Sequence, residues 1–103
     1  MAADKKAQDI AILKMSDICT YTDYFVICTG RSARQTKAIA DELRVQLKQA
    51  GASPLRIEGE THGDWILMDY LSVVTHIFTP ESRDFYRLEV LWKDAPRLGT
   101  VKA

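Results

Sequence analysis

The sequence predicts an α/β protein: a mixed five-stranded sheet with flanking helices. Three observations lead there. Short apolar, β-branched runs recur along the chain. A long capped helix separates the second run from the third. The last three runs are divided only by short polar loops.

Residues 9–15 read as a first strand, mostly apolar and therefore largely buried. Residues 24–29, Tyr-Phe-Val-Ile-Cys-Thr, have the aromatic and β-branched composition of a central strand, and Gly30 breaks it. Residues 32–50 read as a helix. Ser32 and Gln35 make a capping box, Ile39, Leu43, Leu47 and Ala50 form one apolar stripe, and Gly51 is the stop. Residues 55–58 follow as a short strand behind Pro54, and residues 59–64 as a polar loop between two glycines. Strands at 65–68 and 73–79 come next. A last helix begins at Thr79-Pro80-Glu81, with an N-cap hydroxyl, a first-turn proline and an acid at the positive dipole end. Its apolar stripe is Phe85, Leu88, Leu91 and Trp92. The helix after the second strand implies a parallel crossover, and the short turns imply antiparallel hairpins. Residues 1–97 read as one domain and residues 98–103 as a flexible tail, with no internal repeat.

Composition narrows the functional classes. At 103 residues, 47% apolar and 27% charged, the chain is an ordinary globular one. No apolar run approaches the roughly 20 residues that span a bilayer, and residues 1–6 lack a signal-peptide core, so a cytoplasmic location is expected and no membrane contact. Fourteen basic and fourteen acidic residues give a net charge of +0. Binding carried by phosphate contacts needs a cationic surplus, so a protein partner fits better than bare RNA. Cys19 and Cys28 have no CxxC or zinc spacing and read as small hydrophobes.

Signals for catalysis are weak. The Gly30-Arg31-Ser32 turn between a strand and a helix could hold a phosphate, but it matches neither a Walker loop nor a dinucleotide fingerprint. Asp64 and Asp69 stand at opposite ends of one strand, roughly 17 Å apart by strand rise, too far to share an ion. His62 lies in a polar loop, and His76, inside a β-branched run, reads as a sheet residue. The expectation is a protein that is not an enzyme and uses no metal or cofactor. The Trp65-Ile66-Leu67-Met68-Asp69-Tyr70 segment draws more attention. Alternation sends Trp65, Leu67 and Asp69 to one face and Ile66, Met68 and Tyr70 to the other. A face with a tryptophan and an acid is a candidate contact surface.

These residues also carry a resemblance. Asp23-Tyr24-Phe25-Val26-Ile27-Cys28-Thr29-Gly30, Ala38-Ile39-Ala40-Asp41, Glu58-Gly59, the Trp65 to Tyr70 run, Val73-Val74-Thr75-His76-Ile77-Phe78, Arg83-Asp84-Phe85-Tyr86 and Leu91-Trp92-Lys93-Asp94-Ala95-Pro96-Arg97 resemble the Iojap-type ribosomal silencing factors, in unbroken order. The resemblance implies a sheet related to the nucleotidyltransferase fold, without a known activity. It implies binding to a protein of the large ribosomal subunit, the fourteenth in that subunit's series, on the intersubunit face. Bound there, the domain sterically blocks joining of the small subunit and represses translation. Carried over residue by residue, the partner-binding set is Trp65, Leu67, Asp69 and Tyr70, framed by Glu58 and Gly59. Trp65 is the apolar anchor, and Asp69 the partner of a basic side chain. Asp23 and Tyr24 divide between sheet structure and contact, and Phe85, Tyr86 and Trp92 read as core. Ribosomal RNA is expected nearby, and an exposed sheet edge suggests a weak homodimer in isolation.

The chain departs from the family pattern at three points. Only eight residues precede Asp9, where a further helix is common; Leu71-Ser72 replaces a usual Gly-Asp turn; and Lys14 stands where an acid is frequent. The alternatives are a divergent nucleotidyltransferase using the Gly30-Arg31-Ser32 turn, and an RNA-binding module using Arg31, Arg34 and Lys37.

Overall fold

At the centre of the molecule two strands run parallel: β2 (Tyr24–Thr29) and β5 (Val73–Phe78), paired from Tyr24↔Val73 to Thr29↔Phe78. The computed structural model describes residues 8–16, 22–88, 92–93 and 97–101. The first strand, β1 (Gln8–Lys14), pairs antiparallel with β2. Helix α1 (Ala33–Gln49) carries the chain to the far edge, where β3 (Arg56–Glu58) begins a meander through β4 (Trp65–Asp69) back to β5. The sheet order is β3-β4-β5-β2-β1-β6.

All five expected strands are present, with ends within a residue of the sequence reading. The parallel crossover lands differently. It runs from β2 to β3 in direction, but the parallel neighbour that β2 acquires is β5. A sixth strand, β6 (Arg97–Val101), pairs antiparallel with β1, so residues 98–101, read as part of a flexible tail, belong to an edge strand. Arg-Leu-Gly-Thr-Val has too few apolar residues and a central glycine, and only the open edge of β1 gives it structure. Cys19, Leu91 and the 94–96 stretch lie outside the described residues.

α1 forms where the capping signal placed it. Ser32 Oγ accepts from Gln35 N at 3.3 Å, and Ser32 itself is extended, the geometry of an N-cap. At the other end Ala52 N donates to Leu47 O and Gly51 N to Lys48 O, a Schellman closure that needs Gly51 at φ +91°. Thr36, Ile39, Ala40 and Leu43 are buried, Leu47 is half-buried, and the expected stripe residue Ala50 is exposed because it is the cap.

α2 (Pro80–Tyr86) starts at its Thr79 cap as expected but stops after seven residues. Arg87 turns left-handed at φ 50°, which sends Leu88 into the core and breaks the stripe expected to run from Phe85 to Trp92. Phe85 and Tyr86, read as core, are 80% and 44% exposed.

The sheet buries two separate cores. On one face Cys28, Ile66, Met68 and Ile77 meet Ile39, Ala40 and Leu43 of α1. On the other, Leu13, Met15, Phe25, Ile27, Val74 and Phe78 are covered by Leu88, with Trp92 half-buried beside them. Burial pushes the Cys28 thiol up to about 12 against the opposing pull of the Arg83 guanidinium, so it stays protonated. Ile39 is fully buried against the first core, and truncating it leaves a cavity. Ile39→Ala should cost about 3 kcal/mol in urea unfolding, with native-like circular dichroism retained.

Candidate binding face

β4 has the alternation that the sequence suggested: Ile66 and Met68 are fully buried under α1, while Trp65, Leu67 and Asp69 face the other way and stay partly accessible. Register extends that second face across the strands. Glu58 lies opposite Leu67, which lies opposite His76, and Arg56 lies opposite Asp69. The covering residues Leu88 and Trp92 pack toward the β1–β2–β5 half; Trp92 meets Phe25 with ring centroids 6.2 Å apart. The β3–β4 half therefore carries Arg56, Glu58, Trp65, Leu67 and Asp69 together on an open surface.

Of the six expected site residues, four thus share one face: Glu58, Trp65, Leu67 and Asp69. Tyr70 packs on the α1 side against the first core, where its hydroxyl is buried and burial raises its pKa. Gly59 shapes the surface from behind. Its φ of +83° is left-handed, and a Cβ there would fall 2.0 Å from Trp65 O, so only glycine lets the 59–64 loop leave β3 this close to β4. The loop is then tied down on α1. Thr36 Oγ1 donates to Gly63 O, and Lys37 Nζ donates to Thr61 O at 3.1 Å. Asp23 and Tyr24 are both exposed, beside the turn whose Ser72 O accepts from both their amides.

Trp65 is neither core nor free. Its indole stacks on Phe78 at 5.1 Å and touches Tyr86 at 4.5 Å, and its Nε1–H donates to His76 Nδ1 at 3.1 Å. Tyr86 carries Phe85 edge-on at 5.0 Å. Together with Asp64, Glu81 and Ser82, these two rings line an open depression of about 360 Å³ next to Trp65. The sequence reading missed Phe85 and Tyr86 because helical periodicity assumes an unbroken helix. The left-handed Arg87 that breaks it has no glycine or asparagine to announce it.

Asp69 is already engaged. Its carboxylate accepts from Leu71 N at 2.9 Å and lies 3.5 Å from Arg56 Nε, which also pairs with Glu58 at 3.5 Å. Leu71 is held at φ 73°, a left-handed conformation that favours glycine, and 64% of it is exposed. Asp69 is thus a turn organiser whose charge is shared with Arg56.

His76 is a buried sheet residue, 4% exposed, with Phe25 at 4.7 Å. Burial alone pushes its pKa down to about 4, so at neutral pH the ring is uncharged. Because Nδ1 accepts from the indole, the proton of the neutral ring sits on Nε2.

At the Gly30-Arg31-Ser32 turn Gly30 N donates to Phe78 O, and in the first turn of α1 Gln35 N donates to Ser32 Oγ and Thr36 N to Ser32 O. Asp64 and Asp69 flank β4 from opposite ends. Among the described residues there is no group of three or more His, Cys, Asp or Glu side chains that could hold a metal, and no helix long and apolar enough to cross a membrane.

Fold and face define a small α/β protein with one half of a sheet face open and furnished with aromatic, aliphatic and charged side chains. The chain belongs to the family described as "ribosomal silencing factor during starvation", whose model matches residues 1–103. It is 43% identical over 93 residues to the ribosomal silencing factor RsfS of Bacillus subtilis, covering 90% of this chain and 79% of that protein. A mouse protein named mitochondrial assembly of ribosomal large subunit protein 1 is 36% identical, over 85% of this chain and 40% of its own length. The crystal structure of protein CV0518 from Chromobacterium violaceum superposes with a TM-score of 0.87 at 38% identity, covering 89% of this chain and 77% of that one.

Two outcomes follow from this geometry. Gly59→Ala should cost at least about 2 kcal/mol by thermal or urea unfolding, from left-handed strain plus displacement of the Trp65 carbonyl. The folded-state pKa of His76 lies below its unfolded value, so the unfolded chain binds the extra proton. Stability is therefore full above about pH 6.5 and falls as pH drops toward about 4, by on the order of 3 kcal/mol. Urea titrations across that range should show the loss in the wild type and its attenuation in His76→Leu.

Proposed function

We propose that the chain binds the large ribosomal subunit through a ribosomal protein on the intersubunit face, the fourteenth in the large-subunit series, and represses translation by sterically blocking the small subunit. The observation that carries this reading is the half-open sheet face. It presents a half-buried tryptophan, two exposed aromatic rings and a rim of charge, the composition of a protein contact rather than of a catalytic centre. Family membership supports the ribosomal setting, and the mouse relative's name supports the large subunit.

Trp65 and Leu67 form the apolar centre of the contact, with Phe85 and Tyr86 extending it across the β4–α2 junction. Glu58 and Asp69 meet basic side chains, which ribosomal proteins offer in plenty, in competition with Arg56. Gly59 and Tyr70 support the contact, one by shaping the loop and the other by anchoring the end of β4. Exclusion needs no chemistry: the bound domain occupies the space that the small subunit requires. Ribosomal RNA borders the site, the protein acts in the cytoplasm, and the open backbone edge of β3 allows weak pairing of two copies in isolation.

Sedimentation of the protein with purified large subunits, followed by addition of small subunits, tests the reading. Comigration with fewer joined ribosomes is expected. Trp65→Ala should weaken large-subunit binding about thirtyfold or more, and Asp69→Arg should abolish it, with circular dichroism unchanged in both. Undiminished binding by both folded variants would remove the face from the proposal, and no comigration of the wild type at low or moderate salt would remove the function.

A further inference from the structure

Trp65 and His76 are diagonal neighbours across an antiparallel pair: Trp65 faces Phe78 directly, and His76 stands two residues back, opposite Leu67. Diagonal positions lie within reach only of large side chains, and here an indole and an imidazole bridge the gap with one hydrogen bond. The indole would otherwise be held by ring contacts alone, from Phe78 and from Tyr86 on a short helix, two rings that themselves lie 6.3 Å apart. Such contacts tolerate sliding and flipping of the ring; a directional bond from Nε1 does not.

His76 is also a poor residue for packing alone. It is buried among Phe25, Phe78 and Trp65, its Nε2 meets no hydrogen-bond partner among the described residues, and it must remain uncharged. A buried donor without an acceptor destabilises a fold, so an aliphatic residue at this position would serve the core at least as well. What the imidazole adds is an acceptor at Nδ1, directed at the one polar atom of Trp65.

We propose that His76 is a positioning residue for partner binding: through its Nδ1 acceptor it fixes the Trp65 indole in the orientation in which the ring is offered to the partner. This rests on the reading of Trp65 as the contact anchor. His76 is buried beneath the surface and does not itself touch the partner. An indole ordered before binding loses less side-chain freedom on docking, so at neutral pH the effect of His76 falls on affinity and not on the stability of the fold.

Two readouts on three variants test this. In the 15N-labelled protein the hydrogen exchange of the Trp65 indole Nε1–H, assigned with Trp65→Phe, reports the bond without any partner. Affinity for isolated large ribosomal subunits reports the consequence. His76→Leu keeps bulk and removes the acceptor. Its indole exchange should rise at least about tenfold, its affinity should fall about tenfold, and its urea midpoint at pH 7 should stay level or rise. His76→Asn places a carbonyl oxygen where Nδ1 stood and should recover both exchange and affinity to within about threefold of wild type. His76→Gln carries its acceptor one bond further out and should behave like the leucine variant, which keeps the test available if His76→Leu does not fold.

Wild-type exchange and affinity in the leucine or glutamine variant would overturn the proposal, as would an asparagine variant no better than leucine. Failure of the wild type itself to bind large subunits would overturn the functional reading instead. The exchange measurements alone would then decide whether His76 holds the ring.

Discussion

The parallel ladder between β2 and β5 is the constraint from which the rest of the architecture follows. Its two strands are 49 residues apart at Tyr24 and Val73, and everything between them must leave one side of the ladder and return to the other. α1 provides the way out, capped at Ser32 immediately after β2 and closed at Gly51. The meander of β3 and β4 provides the way back. A parallel pair in the middle of a sheet is buried on both faces, and β2 and β5 carry the composition this requires, with Phe25, Ile27, Val74 and Phe78 on one side and Cys28 and Ile77 on the other.

The unequal covering of the two faces creates the functional surface. α1, at 17 residues, is long enough to roof the first face over β4 and β5. Among the described residues the second face has only α2 and the residues just after it, and the left-handed Arg87 turns these toward β1 and β2. The β3–β4 half is left open as a result. What remains exposed there is held firmly: Asp69 fixes the turn after β4, Gly59 lets the hairpin close tightly, and Trp65 is gripped by Phe78, Tyr86 and His76.

Much of this was legible in the sequence, for identifiable reasons. Strong local signals gave the elements: β-branched composition for β2 and β5, the Ser32 cap and Gly51 stop for α1, and the Thr79-Pro80-Glu81 start for α2. Period-two alternation put Trp65, Leu67 and Asp69 on one face, where they lie. The features that escaped are those decided at a distance or by an unmarked backbone choice. β6 is a weak strand made by an available edge. The end of α2 turns on an arginine in a conformation that arginine seldom announces, and this reversed the assignment of Phe85 and Tyr86. His76 could be read as a sheet residue, but nothing local reveals that its acceptor faces an indole eleven positions earlier. Arg56 escaped too, since its place beside Asp69 depends on the register of β3 with β4.

The position of β6 bears on how the chain matures during synthesis. β1 needs a neighbour on each side, and its two neighbours come from distant stretches of sequence: β2 within ten residues of its end, β6 only at Arg97–Val101. A nascent chain therefore offers β1 and β2 as a hairpin-like antiparallel pair long before either outer edge is filled. The β2 edge waits for Val73–Phe78 to emerge, and the β1 edge for the final strand. Until then two unpaired backbone edges face solvent, each a template for mispairing. Slow, non-local closure of this kind leaves the β1 edge vulnerable until residues 97–101 have emerged, and a chain lacking them would keep that edge open permanently.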